Sequence, residues 1–166
     1  MRTMSKSEVA ETARPYVDFV AEVFGPGAVP TWRGIEGAPA LRGDGTYDAH
    51  VYAYTAGAQA MDVPVAAHIA LITRLRDACA DQGWSITRFT TREDTGTAAL
   101  VCAEPDTEYE LAVNSTTPPT AIAILVNTPP FAVPDDPEPE PPAPPQAPPP
   151  APPAAGPGPD IRGILG

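Results

Sequence analysis

At 166 residues, with 24 prolines, two cysteines and a net charge of −11, the chain has room for one modest globular unit and an extension. Ten scattered Lys and Arg residues argue against a nucleic-acid surface, which needs clustered cations facing phosphates, and two cysteines are too few for a disulfide framework or a zinc site. No run approaches the ~18 apolar residues needed to cross a bilayer. The opening MRTMSKSEVAET lacks the apolar core of an export signal, so the chain as written reads as cytoplasmic.

Ser5 and Glu8 have capping-box spacing ahead of an apolar stripe of Val9, Ala13, Tyr16, Val20 and Val23 or Phe24. Pro15 interrupts that stripe and would remove a backbone hydrogen bond. We therefore expect an ordered helix from Arg14, with Pro15 in its first turn and residues 1–13 a flexible or helical lead. Gly25-Pro26-Gly27 ends it. Residues 28–45 have no period and many Gly and Pro, the composition of a loop, with Trp32 closing one end of the core. Two short matches there are decoys. Trp32-Arg33-Gly34 imitates the turn of type VII secretion substrates, which are helical hairpins, whereas this chain is rich in strand patterns. Arg42-Gly43-Asp44 imitates an integrin ligand, but three residues carry no weight.

Residues 46–55, TYDAHVYAYT, alternate like a strand. Its His50, Tyr52 and Tyr54 share one face, either as half-buried packing or as a ligand platform. The next helix takes Asp62 as N-cap and Pro64 in its first turn, and stops at Gly83. Leu71, Ile72, Leu75, Ala78 and Cys79 form its apolar face, with Arg74, Arg76, Asp77 and Asp81 turned outwards. Four short strands follow. Their turns are the Gly-containing loop from Arg92 to Gly96, Pro105-Asp106, and the corner from Thr116 to Pro119. Leu100 and Cys102, then Leu111 and Val113, then Ile122, Ile124 and Val126 supply alternating apolar faces. The expected fold is α+β, order α-β-α-β-β-β-β, with two helices on one face of a mainly antiparallel sheet of about five strands. The domain would span residues 14–131.

Chemistry is sparse. Cys79 and Cys102 can meet if the helix covers that strand, giving either a disulfide or two small buried hydrophobes. His68 lies three helical turns before Cys79, about 16 Å away along the axis, and cannot serve as its base. Glu108 and Glu110 read as solvated strand residues, and the acids of the tail are too spread by prolines to wrap a cation. Asn114-Ser115-Thr116 matches a glycosylation sequon and reads as a turn. No GxGxxG, P-loop, HExxH or GxSxG motif is present, and no cofactor or metal-ligand set emerges.

Residues 132–160 alternate Pro, Ala and acid, which predicts an extended polyproline II linker that cannot bury a core. Such a tether serves as a spacer or as a groove-binding segment. The last residues change character. Ile161, Arg162, Gly163, Ile164 and Leu165 form an apolar cluster at the free end, the form of a docking peptide. They resemble the C-terminal targeting peptides of encapsulin cargo, which also follow Pro-rich linkers.

The helix ARPYVDFVAEVFG with a Trp soon after it, the Tyr-rich strand, the helix ALITRLRDACADQGW and the closing PPTAIAILVNTP together resemble small, mostly uncharacterised actinobacterial lipoproteins and exported proteins. The resemblance covers residues 14–131, with Pro118-Pro119-Thr120-Ala121 its most specific part. It implies a compact α+β domain and carries no catalytic residues. This chain departs from the group in having neither the typical export signal nor the cysteine pair often found there, one in the loop after the Trp and one following the last strand, at places here occupied by residues 37–40 and 129–131. Both departures suit a reducing compartment, and a misassigned start codon would account for the first alone.

No motif assigns a function and the resemblance adds none; the leading expectation is a small non-enzymatic binding or interaction module, tethered to a protein partner through its Pro-rich tail. The first alternative is an envelope-associated or exported protein whose spacer crosses the cell wall. The second is a small enzyme or cargo protein using the His50, Tyr52 and Tyr54 face and a C-terminal targeting peptide.

Overall fold

A computed structural model describes residues 1–135. The linker beyond them, and the docking peptide of Ile161 to Leu165, lie outside the described residues.

Two helices lie on one face of an open antiparallel sheet. The order is α1 (Lys6–Phe24), β1 (Pro30–Leu41), β2 (Tyr47–Ala60), α2 (Val65–Asp81), β3 (Ser85–Arg92), β4 (Thr97–Ala103), β5 (Glu110–Ser115), β6 (Ile122–Asn127) and β7 (Phe131–Ala132). Across the sheet the strands run β1-β2-β6-β5-β4-β3, and the short β7 pairs with β2 beyond the end of β6. The α+β class is as expected, with six to seven strands in place of about five. Helix α1 packs over β1, β2 and β6, and α2 over β3, β4 and β5. Between the layers lie Val9, Val20, Ile72, Leu75, Leu100, Leu111, Ile122 and Ile124, each fully shielded from water. Each such side chain contributes about 1.5–3 kcal/mol, which makes this layer the main source of stability.

Helix α1 begins earlier than expected. Ser5 Oγ accepts from the Glu8 amide while the Glu8 carboxylate accepts from the Ser5 amide at 2.7 Å, a complete capping box. The preceding residues are clamped: Met4 N–H donates to Ala132 and Ala132 N–H to Arg2. Pro15 therefore sits inside the helix. It deprives the Glu11 carbonyl of its helical donor, but both residues are exposed, so water can bond that carbonyl and the turn survives.

Most of the segment expected to be a loop, residues 30–41, is strand β1, while residues 28–29 and 42–45 are loop and turn as expected. Its Pro and Gly content did not break pairing because the sheet absorbs them. Pro30 opens the strand, β1 is an edge, and irregularities fall at Trp32/Gly34 and Pro39/Ala40, the places where such residues are tolerated. Gly37 is required by contact: a Cβ there would lie 2.7 Å from Tyr54 Cε1. Trp32 packs against the core with the Arg14 guanidinium 4.4 Å above its ring.

Helix α2 starts later than expected. Asp62 has φ 56°, outside helical space, and Pro64 takes the cap position with no side-chain hydrogen bond. The helix ends as expected, with Gly83 at φ 82° just past it. The loop from Arg92 to Gly96 turns the β3–β4 hairpin, closed by the Gly96 N–H donating to the Arg92 carbonyl at 2.8 Å. Glu108, expected on a strand, lies in the β4–β5 turn at φ 61°. An aromatic corner joins α1 to the sheet. The Tyr16 ring stacks on Tyr109 at 5.2 Å and lies 5.6 Å from Trp84, which also meets Phe19.

Candidate functional site

The fold brings together four groupings with chemical content: the Tyr face of β2, a buried polar chain under β5, the face of the sheet that no described residue covers, and a pair of buried thiols.

On β2 the three residues singled out from the sequence have different fates. Tyr54 is 7% exposed and belongs to the core, on the same face as Ala56, Ala58 and Ala60. Burial raises its phenol pKa above the ordinary value, helped by the neighbouring Tyr52. Tyr52 is half-buried, its ring 6.3 Å from that of Tyr54, and both rings lie against Gly37. His50 is exposed near the turn end of the β1–β2 hairpin, where its N–H donates to Asp48 and its carbonyl accepts from Val133.

Under β5 lies a pair that sequence reasoning missed. His68, on α2, is completely buried. Its Nε2 lies 2.8 Å from the Val63 carbonyl and its Nδ1 2.9 Å from Ser115 Oγ. A carbonyl can only accept, so Nε2 carries the proton and Nδ1 accepts from the serine hydroxyl. Ser115 Oγ in turn accepts from the Ala98 N–H at 3.2 Å. A serine beside an imidazole suggests a nucleophile and its base. The strand alternation decides otherwise. Ser115 shares the helix-facing side with Leu111 and Val113, so its hydroxyl points into the core, away from the open face. The signal available in the sequence was position: His68 continues the stripe of Leu71, Ile72, Leu75 and Cys79.

The face of the sheet opposite the helices has no cover among the described residues. Across it run Gly57 and Gln59 of β2, Ala123 and Leu125 of β6, Ala112 and Asn114 of β5, Ala99 and Val101 of β4, and Arg88, Thr90 and Arg92 of β3. Leu125 is 38% exposed in the middle of this surface although β6 is an interior strand. Towards β3 the surface forms a concavity of ≈ 460 Å³ whose lining includes Arg88, Thr90, Arg92, Asn114, Thr116 and Thr117. Register sets the order: Arg88 stands opposite Val101, Thr90 opposite Ala99 and Arg92 opposite Thr97. Arg92 has one loose, exposed ion pair with Asp94 at 3.7 Å. Arg33 lies at the other side of the face, donating to Gln59. The acids of this face are Glu110, which accepts from Asn127, and Glu36 opposite Thr55.

At the thiols, Cys102 Sγ–H donates to Cys79 Sγ at 3.0 Å, and both residues are completely buried. That hydrogen bond, then burial, raise the Cys102 pKa far above the ordinary thiol value. No group of three or more His, Cys, Asp or Glu suited to a metal occurs among the described residues. No described helix is long and apolar enough to cross a membrane.

These features define an α+β open-sheet domain with one face free of cover among the described residues. No family model, curated protein or solved structure matches the chain.

Proposed function

We propose that the domain is a non-enzymatic binding module that takes a protein partner on the uncovered face of its sheet, the Pro-rich tail acting as its tether. The observation that carries this reading is the concavity along β3 to β5, with hydroxyls and an amide around two arginines and an apolar floor of Ala99, Val101 and Ala112. The chain carries a net charge of −11 and only ten Lys and Arg, yet the residues lining this concavity include Arg88 and Arg92 and no Asp or Glu. Two cations in a lining without acids favour an acidic segment of the partner, laid along apolar strands and held by charge-assisted hydrogen bonds. Arginine suits this task, since its planar fork can engage a carboxylate through two donors.

Titration of the full chain with a Glu/Pro-rich peptide, followed by amide chemical shifts, tests the reading. Shifts should concentrate on β3 to β5, vanish in an Arg88→Glu/Arg92→Glu variant and persist in Lys6→Glu at the far end of α1. Shifts confined to the helix layer, or unaffected by the double variant, would overturn it. Deleting residues 161–166 tests the tether separately: a partner recovered equally well without them would remove the docking role of the C-terminal peptide.

A further inference from the structure

Neither the binding face nor the tail involves the cysteines, yet their thiols face each other across the helix–sheet interface. Cys79 is in the last turns of α2, and Cys102 lies on β4 between Ile86 of β3 and Leu111 of β5. They are 23 positions apart in sequence, fully buried, and their sulfurs stand 3.0 Å apart. A disulfide bond is ~2.05 Å long, so the sulfurs need approach by only about 1 Å. Many side chains could fill a core with two small apolar groups. Two thiols aimed at each other across the helix–sheet interface are a more particular arrangement.

We propose that Cys79 and Cys102 form a closable dithiol, which becomes a disulfide joining α2 to β4 when the chain meets a disulfide-bearing oxidant. One cysteine thiolate attacks the oxidant's S–S bond, forming a mixed disulfide and releasing one thiol. The second cysteine thiolate then attacks the protein sulfur of that mixed disulfide and releases the other thiol. The two cysteines together lose two protons and two electrons, and the oxidant is reduced to two thiols. Because both sulfurs are shielded in the native domain, the exchange occurs during folding or through local opening of the α2–β4 interface. The link would tie the second helix to the strands that floor the concavity. It also supplies a specific reason to consider the exported alternative: the bond would persist in an oxidising compartment and stay open in a reducing one.

The test uses the full chain, reduced and unfolded in guanidinium, then refolded by dilution into a buffer of oxidised and reduced glutathione. The expected product is a monomer lighter by two hydrogens, with no thiol available to iodoacetamide after denaturation. It should melt several degrees above the reduced form, because the cross-link restricts the unfolded chain. Refolded Cys79→Ser and Cys102→Ser chains should show neither the mass loss nor the rise in Tm. Should either serine variant fail to fold, the alanine variants serve in its place. A native wild-type monomer that keeps two alkylatable thiols in this buffer, or that collects glutathione adducts in place of the internal bond, would overturn the proposal.

Discussion

His68 of α2 and Ser115 of β5, 47 positions apart, meet beneath the sheet at 2.9 Å in a hydrogen-bonded chain that runs from the Ala98 amide to the Val63 carbonyl. Every polar atom of the imidazole is paired within a fully buried setting. The chain ties the start of α2 to two neighbouring strands at once, which fixes the helix along the sheet.

Replacing His68 by Leu should therefore cost about 2–4 kcal/mol, since it takes the imidazole donor from the Val63 carbonyl and leaves the Ser115 hydroxyl with the Ala98 N–H but no acceptor. Ser115→Ala should cost less, about 1–2 kcal/mol, and the double variant less than the sum, because the two residues share one hydrogen bond. Urea unfolding of the four proteins measures this. Additive losses would show that the pair does not act as a unit.

Gly37→Ala places a methyl 2.7 Å from Tyr54 Cε1 and 2.9 Å from Cδ1, against a ring that the core holds in place. A destabilisation of about 1–3 kcal/mol is expected, visible as a lowered Tm. In a Tyr54→Ala background the same substitution should cost clearly less, with only the Tyr52 contact at 3.3 Å remaining tight, and an undiminished penalty there would place the strain elsewhere.

Ser5→Ala removes the cap that lets α1 start eight residues ahead of Arg14 (positions 6 to 13). The expected loss is about 1 kcal/mol, with amide exchange rising first in the opening turn. The Glu8 carboxyl is held below its ordinary value of 4.5 by the Ser5 amide and then the Ser5 hydroxyl. Its share of the cap is present above that value and is lost as the pH falls through the lower folded value. Acid should thus mimic the substitution locally.

At alkaline pH the reduced domain should lose stability in two stages. The Cys102 pKa is raised in the folded state by its hydrogen bond to Cys79 and by burial. The contribution is complete below the unfolded thiol's ~8.5 and declines as the pH rises from there, because the unfolded chain releases the proton more readily. Tyr16 follows above ~10, since burial and its hydrogen bond to the Glu104 carboxylate raise its phenol pKa. Melting curves from pH 7 to 11 should show both onsets, and a Cys102→Ala chain should show only the second. A flat profile across that range would contradict the folded-state origin of both shifts.

Some of this architecture could be read from local sequence because local physics sets it. The capping box at Ser5 and Glu8, the left-handed glycine at Gly83, the hairpin loop ending at Gly96, and the alternation in β2 and β4 to β6 each depend on neighbours within a few residues. Reading Pro15 as a barrier failed because an exposed carbonyl can be satisfied by water. Reading residues 28–45 as loop failed because the strand is held by its partner β2, not by its own propensity.

The sequence by itself determined two helices, an antiparallel β-rich remainder, their turns and an acidic Pro-rich extension, through backbone preferences and the spacing of apolar residues. Only the tertiary structure decided that β6 inserts between β2 and β5, that β1 completes the sheet, that His68 meets Ser115 and Cys79 meets Cys102, and that no described residue covers one face of the sheet. Those relations join residues tens of positions apart. They depend on which surfaces bury the most apolar area together, and no local window contains both partners.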